Sequence, residues 1–453
     1  MWTFEEVQKY LADTAPPGKS VYGLERINHL LEITGHPEKG MACITVVGTN
    51  GKGSTLAFLD SILLEHGMKT VCHIKPHVES VTERMRINGR DSTEDEFASA
   101  MWEVKQAVDE KWIRDDKPTY FELIFAGTLI FGRMNEAEIA ILETGLGGRL
   151  DAVNAVDAMM VLLTSVSYDH TEYLGETLTE ITGEKVVVAR RGTTLVAQEN
   201  PEEVTEVVRH YCEENGVRYV RKREYLSAAE DNKYESVRWN LQLSPDSPVI
   251  ELKPQLKANY QLENADLAIS GFYEFANSEE GERLDISPDI EKVKAGIEKA
   301  HIPGRWEIFN IEGGVHVLVD GGHNTEALNL VLGEYRNYCF RKKTIIFGAK
   351  KTKDLHEVLP KIVEVGRHII FCPVPDIEYH EPSELVVQAE KYVDRENKSI
   401  HIELYKVDSI EEGLEKAIEV TEGPVMVTGS IYLAGAAMRH IRKKMSLSGT
   451  TRV

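Results

Sequence analysis

Short runs of apolar residues alternate along the chain with segments in which apolar residues recur at helical spacing. In the first half of the chain, buried strands are predicted at residues 42–47, 70–74, 139–142, 159–163 and 194–197. Apolar strands that alternate with helices predict a mainly parallel sheet covered by helices on both faces. Ligands of such sheets bind at the carboxyl ends of the strands.

The same alternation starts again after Pro303 and Gly304, which are typical of a domain boundary. A helix is predicted just before them, at residues 291–300, and a β-rich excursion at 225–257. Further strands are predicted at residues 315–319, 344–347, 368–371 and 425–427. We therefore expect an α/β protein with a larger domain over residues 1–300 and a smaller α/β domain over residues 301–453.

Composition excludes several classes of function. The chain has 453 residues, of which 42% are apolar, so a sizeable core is expected. A net charge of −22 argues against a nucleic-acid partner. No apolar run is long enough to span a membrane, and the N-terminus lacks a basic signal region. The scattered cysteines are expected to be small buried residues of a cytoplasmic protein: Cys43, Cys72, Cys212, Cys339 and Cys372.

The first predicted strand leads directly into the glycine-rich run 48–55, which reads GTNGKGST. A helical pattern follows this run and ends at Gly67. A strand, a glycine turn and a helix together hold phosphate through backbone N–H groups, a lysine and a hydroxyl. The spacing differs from the usual G-x-x-x-x-G-K-[ST], because Gly53 separates Lys52 from Ser54. The pattern predicts a P-loop-type domain that binds a nucleotide, and the alternative is an ordinary glycine-rich turn.

Other polar clusters follow predicted strands. Glu143 ends one strand and precedes a glycine-rich turn, so it is a candidate Mg²⁺ ligand, although an exposed carboxylate is the alternative. Asp169 and His170 follow another strand, where a metal or phosphate role and a structural role are both open. From its neighbours alone, Lys185 is an ordinary helical lysine.

Eight motifs together resemble the folylpolyglutamate synthase/dihydrofolate synthase family of Mur-type, ATP-dependent amide ligases. In chain order they are VYGLERI at 21–27, GTNGKGST at 48–55, ERMRING at 83–89, ETGLGGRLDAVN at 143–154, DHTEYLG at 169–175, PGRWE at 303–307, DGGHN at 320–324 and TGSIY at 428–432. The resemblance spans nearly the whole chain in the expected order.

The resemblance implies a role for each matching residue. The phosphates of ATP would be wrapped by Thr49, Asn50, Gly51, Lys52, Gly53, Ser54 and Thr55. Ser54 and Glu143 would hold one Mg²⁺, and His170 a second. Lys185 would be carbamylated, which turns a cation into an anion that supports the second Mg²⁺. Further positions would bind ATP (Gln261, Asn264, Arg305 and Asp320) or the incoming glutamate (His323, Asn324 and Ser430).

The implied reaction joins glutamate to a carboxylate acid, most simply a folate, through an acyl phosphate. Lys52, His170 and Lys185 would be the catalytic groups. The smaller domain would close on the nucleotide and bind the amino acid. The expected partners are therefore small molecules, a folate-like acid and glutamate, with no nucleic acid, no membrane and a monomeric enzyme.

Some positions depart from the family pattern. Lys75 stands where a small polar residue usually precedes the proline of the second loop, near the expected acceptor region. Val186, Val187 and Val188 are bulkier than the usual residues, and Tyr260 stands where a histidine is usual. Gly322 replaces an alanine. Because the departures gather toward the acceptor, ATP-dependent ligation is the firmer expectation, and a non-folate acid remains an alternative.

Two alternative functions stay open. A kinase or NTPase switch could use the same loop, although no guanine-reading N-K-x-D motif is present. A catalytically silent homologue could keep the fold for binding, although Lys52, Glu143 and His170 are all retained.

Overall fold

The computed structural model describes residues 2–14, 23–229, 237–311, 314–338, 343–393 and 401–448. Two residues of the first family motif, Val21 and Tyr22, and one cysteine, Cys339, lie outside this part of the chain. The chain divides into two compact units. The first consists of Met1–Asn232, Val237–Gln255 and Gln261–His301, and the second of Lys233–Ser236, Leu256–Tyr260 and Ile302–Val453.

The first unit is built on a mostly parallel sheet. Its strands are β1 Ala42–Val47, β2 Thr70–His73, β3 Met85–Ile87, β4 Arg90–Asp91, β5 Ile139–Glu143, β6 Met160–Leu163, β7 Thr194–Ala197 and β8 Arg218–Arg221. They lie in the order β4-β3-β2-β5-β1-β6-β7-β8. Pairing is parallel from β2 to β8, and β3 and β4 add two antiparallel strands at one edge. The predicted parallel sheet is confirmed, with strand bounds within one residue of those expected.

Helices cover this sheet. They are α1 Phe4–Thr14, α2 Glu25–Ile33, α3 Lys52–Glu65, α4 Glu94–Lys111, α5 Tyr120–Met134, α6 Thr171–Leu174, α7 Leu178–Val186, α8 Glu202–Asn215, α9 Gln261–Ala276, α10 Glu279–Arg283 and α11 Ile290–Lys299. Because helices cover the sheet, its strands are buried and apolar, and all six residues of β1 are buried. Helix α3 packs against α9 and α11. A Cβ at Gly296 of α11 would lie 2.6 Å from the Cα of Ile62, so glycine permits this close approach.

The predicted β-rich excursion is also confirmed. It forms an antiparallel three-stranded sheet of β9 Leu226–Ala228, β10 Trp239–Leu241 and β11 Ile250–Leu252. Trp239 of β10 is fully buried and lies 6.3 Å from the ring of Phe58 of α3.

The second unit repeats the α/β alternation around a six-stranded sheet ordered β12-β13-β17-β14-β15-β16. Its strands are β12 Glu307–Ile311, β13 Val315–Val319, β14 Thr344–Phe347, β15 His368–Phe371, β16 Glu403–Lys406 and β17 Val425–Thr428. Its helices are α12 Thr325–Tyr338, α13 Val358–Val365, α14 Pro382–Val393, α15 Ile410–Val420 and α16 Ile431–Ser448. All strands but β12 pair in parallel. The four strands predicted here are confirmed.

Two compositional expectations can be checked in the described residues. Cys43, Cys72, Cys212 and Cys372 are free thiols and are buried, as expected. In the part of the chain that the structure describes, every helix is too short or too polar to cross a membrane.

Candidate active site

Three polar loops of the first unit lie side by side at the carboxyl ends of its strands. They follow β5, β1 and β6, which are neighbours, with Val46 of β1 beside Glu143 of β5 and Val47 beside Leu163 of β6. The loops after β1 and β6 are joined directly, because the N–H of Thr49 donates to the carbonyl oxygen of Ser165 at 2.6 Å. The sequence prediction that these polar clusters meet at the strand tips is confirmed.

The glycine-rich loop has a backbone that requires glycine at Gly51. Its φ is +85°, and helix α3 begins at the next residue, Lys52. A Cβ at Gly51 would lie 2.1 Å from Oδ1 of Asn264, which is buried on α9. The amide of Asn264 is held in turn by Gln261, since its Nδ2 donates to Oε1 of Gln261 at 2.8 Å. The structure thus brings Asn264, which is expected to bind ATP, against the loop expected to hold phosphate, with Gln261 behind it.

Two lysines meet at the carbonyl oxygen of Gly48. Nζ of Lys52 donates to it at 3.2 Å and also donates to the carbonyl oxygen of Thr49 at 2.9 Å. Nζ of Lys185, from the last turn of α7, donates to the Gly48 oxygen at 2.9 Å. Burial, together with the nearby charge of Lys52, lowers the pKa of Lys185 to about 7, against the opposing charges of Asp169 and Asp151. Lys185 is therefore neutral in a large fraction of molecules near neutral pH.

Two hydroxyl residues follow Gly53 in the first turn of α3. Ser54 and Thr55 are both buried, with Ser54 2% exposed. Within the described structure, Oγ1 of Thr55 is buried without a hydrogen-bond partner. These side chains lie at the N-terminal end of the helix, and helix N-termini favour the binding of anions.

Glu143 is buried at the end of β5. Its Oε2 accepts a hydrogen bond at 3.0 Å from the backbone N–H of Lys75, which follows β2. Nζ of Lys75 lies 3.3 Å from Oδ1 of Asp151. The sequence prediction did not single out Asp151, although it lies in the motif at 143–154.

His170 immediately precedes the short helix α6 and has a left-handed backbone with φ +52°. Its side chain is half-exposed, and Nε2 lies 4.0 Å from Oδ1 of Asp169. Among the described residues, the structure contains no group of three His, Cys, Asp or Glu side chains arranged to hold a metal. Mg²⁺ does not require such a group, because it keeps several waters and binds one or two protein ligands together with phosphates.

In the second unit, the candidate residue Asp320 follows β13 and is buried. Its Oδ2 accepts from the hydroxyl of Tyr260 at 2.6 Å and from the N–H of Trp306 at 2.9 Å. Its Oδ1 accepts from the N–H of Gly322 at 2.8 Å. Burial raises the pKa of Asp320, while the charge of Arg305 and these hydrogen bonds oppose the change.

The remaining candidates of this unit lie on neighbouring loops. Nδ1 of His323 lies 3.0 Å from the carbonyl oxygen of Gly321. Oδ1 of Asn324 accepts from the N–H of Ala327 in the first turn of α12. Ser430 is buried just before α16, and its Oγ accepts from the N–H of Tyr432 at 3.2 Å. The preceding Gly429 donates its N–H to the carbonyl oxygen of Gly322, so the loops after β13 and β17 are joined.

Comparison with known proteins agrees with this arrangement. Residues 304–431 match the glutamate ligase domain of Mur ligases. Dihydrofolate synthase/folylpolyglutamate synthase of Bacillus subtilis is 28% identical over 363 residues, which cover 77% of this chain and 80% of the relative. The Escherichia coli protein of the same description is 30% identical over 317 residues, or 69% of this chain and 68% of the relative.

The chain belongs to the folylpolyglutamate synthase/dihydrofolate synthase family.

A solved structure of Mycobacterium tuberculosis folylpolyglutamate synthase complexed with ADP superposes on this member of the family with a TM-score of 0.84. The superposition covers 99% of both chains at 21% identity, and it shows that the fold is shared. The resemblance drawn from the sequence motifs is thereby confirmed, as are the fold class and the assignment to ATP-dependent amide ligases. The roles of individual residues remain predictions.

Proposed function

We propose that this synthase joins glutamate to the carboxylate of a folate, using ATP and releasing ADP and phosphate. The observation that carries the proposal is the meeting of Lys52 and Lys185 on the carbonyl oxygen of Gly48, one strand away from Glu143. A phosphate loop and a buried carboxylate on adjacent strand tips, with a buried amine of lowered pKa that reaches the loop from α7, are the groups that a carboxylate-activating ligase needs.

ATP would be held by the loop from Thr49 to Thr55, with its backbone N–H groups and the end of α3 facing the phosphates. Lys52 would turn from the loop carbonyls to the terminal phosphates and neutralise their charge. Asn264, Arg305 and Asp320 would contact the nucleotide, whereas His323, Asn324 and Ser430 would bind glutamate.

The donor set fits Mg²⁺, which prefers oxygen ligands. Ser54 and Glu143 would hold one ion, and His170 together with carbamylated Lys185 would hold a second. Bound Mg²⁺ would supply charge stabilisation for the transferring phosphoryl group. Carbamylation needs a neutral amine, and a lysine whose pKa is lowered to about 7 satisfies this requirement at neutral pH.

The reaction balances in two steps. A carboxylate oxygen of the acid attacks the γ-phosphorus of ATP, the bond to the β-phosphate oxygen breaks, and an acyl phosphate and ADP result. The amine nitrogen of glutamate then attacks the acyl carbon and loses a proton, and inorganic phosphate leaves as the amide forms. Phosphorylation is needed because an unactivated carboxylate repels a nucleophile and offers a poor leaving group. The residues of the chain position the reactants and stabilise charge.

The deciding experiment incubates the enzyme with ATP, Mg²⁺, labelled glutamate and a panel of pterin and non-pterin acids, and identifies the product by mass. We expect a product one glutamyl unit heavier, with ADP and phosphate formed in equal amounts. Omission of the acid or of glutamate should abolish product, and Lys52→Met should abolish turnover. Phosphate release without an acid would instead indicate an NTPase. If ATP is consumed with no combination of acid and glutamate, the protein is a catalytically silent homologue.

We further propose that the enzyme works in the cytoplasm as a monomer on small-molecule substrates. Its net charge of −22 argues against a nucleic-acid partner, and its scattered cysteines support a reducing compartment.

A further inference from the structure

One face of helix α9 is attached to β8 and to the start of β9. Four polar residues recur on this face at helical spacing: Glu263, Asp266, Ser270 and Glu274. Each of them bonds to a residue of the segment 218–226. We call these four residues the polar face of α9. It fixes the helix to the part of the first unit that leads into the three-stranded sheet.

Asp266 lies in the middle of the polar face and is buried, with 2% of its surface exposed. Its Oδ1 accepts from the backbone N–H groups of Tyr225 at 2.9 Å and Leu226 at 3.0 Å. Its Oδ2 lies 3.6 Å from Nζ of Lys222. Lys222 is also buried, and its Nζ lies 3.0 Å from Oε2 of Glu263. The carboxylate of Asp266 therefore joins the end of β8 and the start of β9 to the second turn of α9.

Lys222 compensates the charge of Asp266. Burial raises the pKa of Asp266 to about 7, while the charge of Lys222 and the two backbone N–H groups oppose the rise. Without Lys222 the buried carboxylate would lose its cation, and its pKa would rise further. A protonated carboxyl accepts hydrogen bonds less strongly than a carboxylate. The attachment of α9 therefore depends on Lys222 as well as on Asp266.

The opposite side of α9 reaches the glycine-rich loop. Asn264 is two residues before Asp266, and residues two apart leave an α-helix in nearly opposite directions. The amide of Asn264 lies against Gly51, where an added Cβ would be 2.1 Å from Oδ1 of Asn264. Helix α9 also packs against α3, which begins directly after Gly51. The position of α9 therefore determines how closely the Asn264 amide approaches this loop.

We propose that Asp266 and Lys222 are positioning residues for the nucleotide, because they hold α9 where Asn264 meets ATP beside the glycine-rich loop. Both are bonded on the side of α9 away from Asn264, so they act on ATP through Asn264. Loss of the pair should lower the affinity for ATP and leave the chemical step, which uses other residues, little changed. The inference rests on the proposed function, because it requires that Asn264 contacts ATP.

The test measures equilibrium binding of ATP to the intact chain, without acid or glutamate. Asp266→Ala should weaken binding about fivefold or more. Asp266→Asn keeps an oxygen for the two backbone N–H groups and should recover part of the loss. Lys222→Met should also weaken binding, and because Lys222 lies outside α9, this effect cannot come from a local change in the helix.

The matched control is Glu274→Gln, which acts on the same face of α9. It removes the ion pair with Arg218, at a position about 15 Å along the helix from Asn264. This variant should bind ATP as wild type does. An equal loss of affinity in Glu274→Gln and Asp266→Ala would overturn the inference, since any damage to the polar face would then have the same effect.

A double-mutant cycle distinguishes positioning from a purely structural role. If Asp266 acts through Asn264, Asp266→Ala should weaken ATP binding much less in an Asn264→Ala background than in wild type. Steady-state kinetics should show a raised KM for ATP with a little-changed kcat. Additive effects of the two substitutions, or unchanged ATP binding by Asp266→Ala, would overturn the inference.

These outcomes separate the inference from the proposed function. If the wild type extends a folate but Asp266→Ala binds ATP equally well, only the inference is overturned. If Asn264→Ala binds ATP as tightly as wild type, the proposed contact of Asn264 with ATP and the inference are both wrong. If the wild type binds no ATP, the whole proposed function is overturned as well. Urea unfolding identifies a variant that fails to fold, and Asp266→Asn and Lys222→Met then supply the comparison.

Discussion

Lys52 and Lys185 donate to the same backbone oxygen, that of Gly48, at 3.2 and 2.9 Å. Two ammonium groups that share one acceptor oxygen repel each other, and burial favours loss of the proton from the more buried one. Lys52 starts an accessible helix end, whereas Lys185 is 3% exposed. The arrangement therefore pairs Lys52, the residue proposed to bind phosphate, with an amine whose pKa is lowered to about 7.

The first prediction concerns the dependence of Lys185 on pH and CO₂. Because only the neutral amine reacts with CO₂, carbamylation and activity should both rise as pH increases through about 7. Bicarbonate should stimulate the enzyme most at the acidic side of this range. The measurement is a ¹³C NMR carbamate signal in labelled bicarbonate, followed together with turnover. Lys185→Arg should lack the carbamate signal and lose activity by at least about tenfold. Full activity of Lys185→Arg would contradict the proposal that carbamylated Lys185 takes part in the reaction.

The same pKa has a consequence for stability. The pKa of folded Lys185 lies below the ordinary value of 10.5, so the unfolded chain binds more protons between about pH 7 and 10.5. This residue therefore makes the free energy of unfolding rise with pH in that window, and Lys185→Met should remove that contribution. Lys52→Met should raise the lower pH limit of this window and so narrow it, since the charge of Lys52 helps to lower the pKa of folded Lys185.

The second prediction concerns Gly51→Ala. Alanine at φ +85° is strained by about 1–2 kcal/mol, and its Cβ would also lie 2.1 Å from Oδ1 of Asn264. We expect a lower free energy of unfolding in urea and a large loss of nucleotide affinity. Gly183→Ala is the matched control, because Gly183 lies inside α7 with nothing within 4 Å of its added Cβ. The control should be more stable than wild type by roughly 0.5–1 kcal/mol, and equal effects of the two substitutions would contradict this account.

The third prediction is that Glu143→Gln weakens metal use and leaves the fold intact. Glutamine keeps an oxygen that can accept from the N–H of Lys75, so the loop after β2 should hold its position. The lost charge should raise the Mg²⁺ concentration for half-maximal activity about tenfold or more. Titration of activity with Mg²⁺, beside a urea unfolding curve, measures both effects. An unchanged Mg²⁺ requirement would show that Glu143 is not a metal ligand.

The fourth prediction concerns Tyr260, which donates to Asp320 at 2.6 Å. Tyr260→Phe removes a hydrogen bond from a buried carboxylate, worth about 1.5–3 kcal/mol. The pKa of Asp320, already raised by burial, should rise further. A raised carboxyl pKa makes stability fall as pH rises, so the loss of stability in Tyr260→Phe should be larger at pH 8 than at pH 5. Urea unfolding at both pH values tests this, and an accompanying rise in KM for ATP would support the role proposed for Asp320.

Much of the fold could be predicted from the residues alone. Parallel strands buried on both faces carry apolar runs such as 42–47 and 344–347, and the structure places β1 and β14 at these residues. The glycine-rich loop could be predicted equally well, because its glycines and its neighbouring strand and helix are contiguous in the chain. Asp151 was missed because its partner Lys75 is 76 residues away in the chain.

The sequence by itself determined the alternation of elements, the nucleotide-binding loop and, through its motifs, the family. These features depend on residues close together in the chain, where hydrophobic periodicity and turn chemistry act. Only the tertiary structure decided that Lys185 reaches Gly48, 137 residues away in the chain, and is buried there. It likewise decided that Lys75 pairs with Asp151. Desolvation and charge pairing depend on which distant segments pack together, and local sequence does not record this.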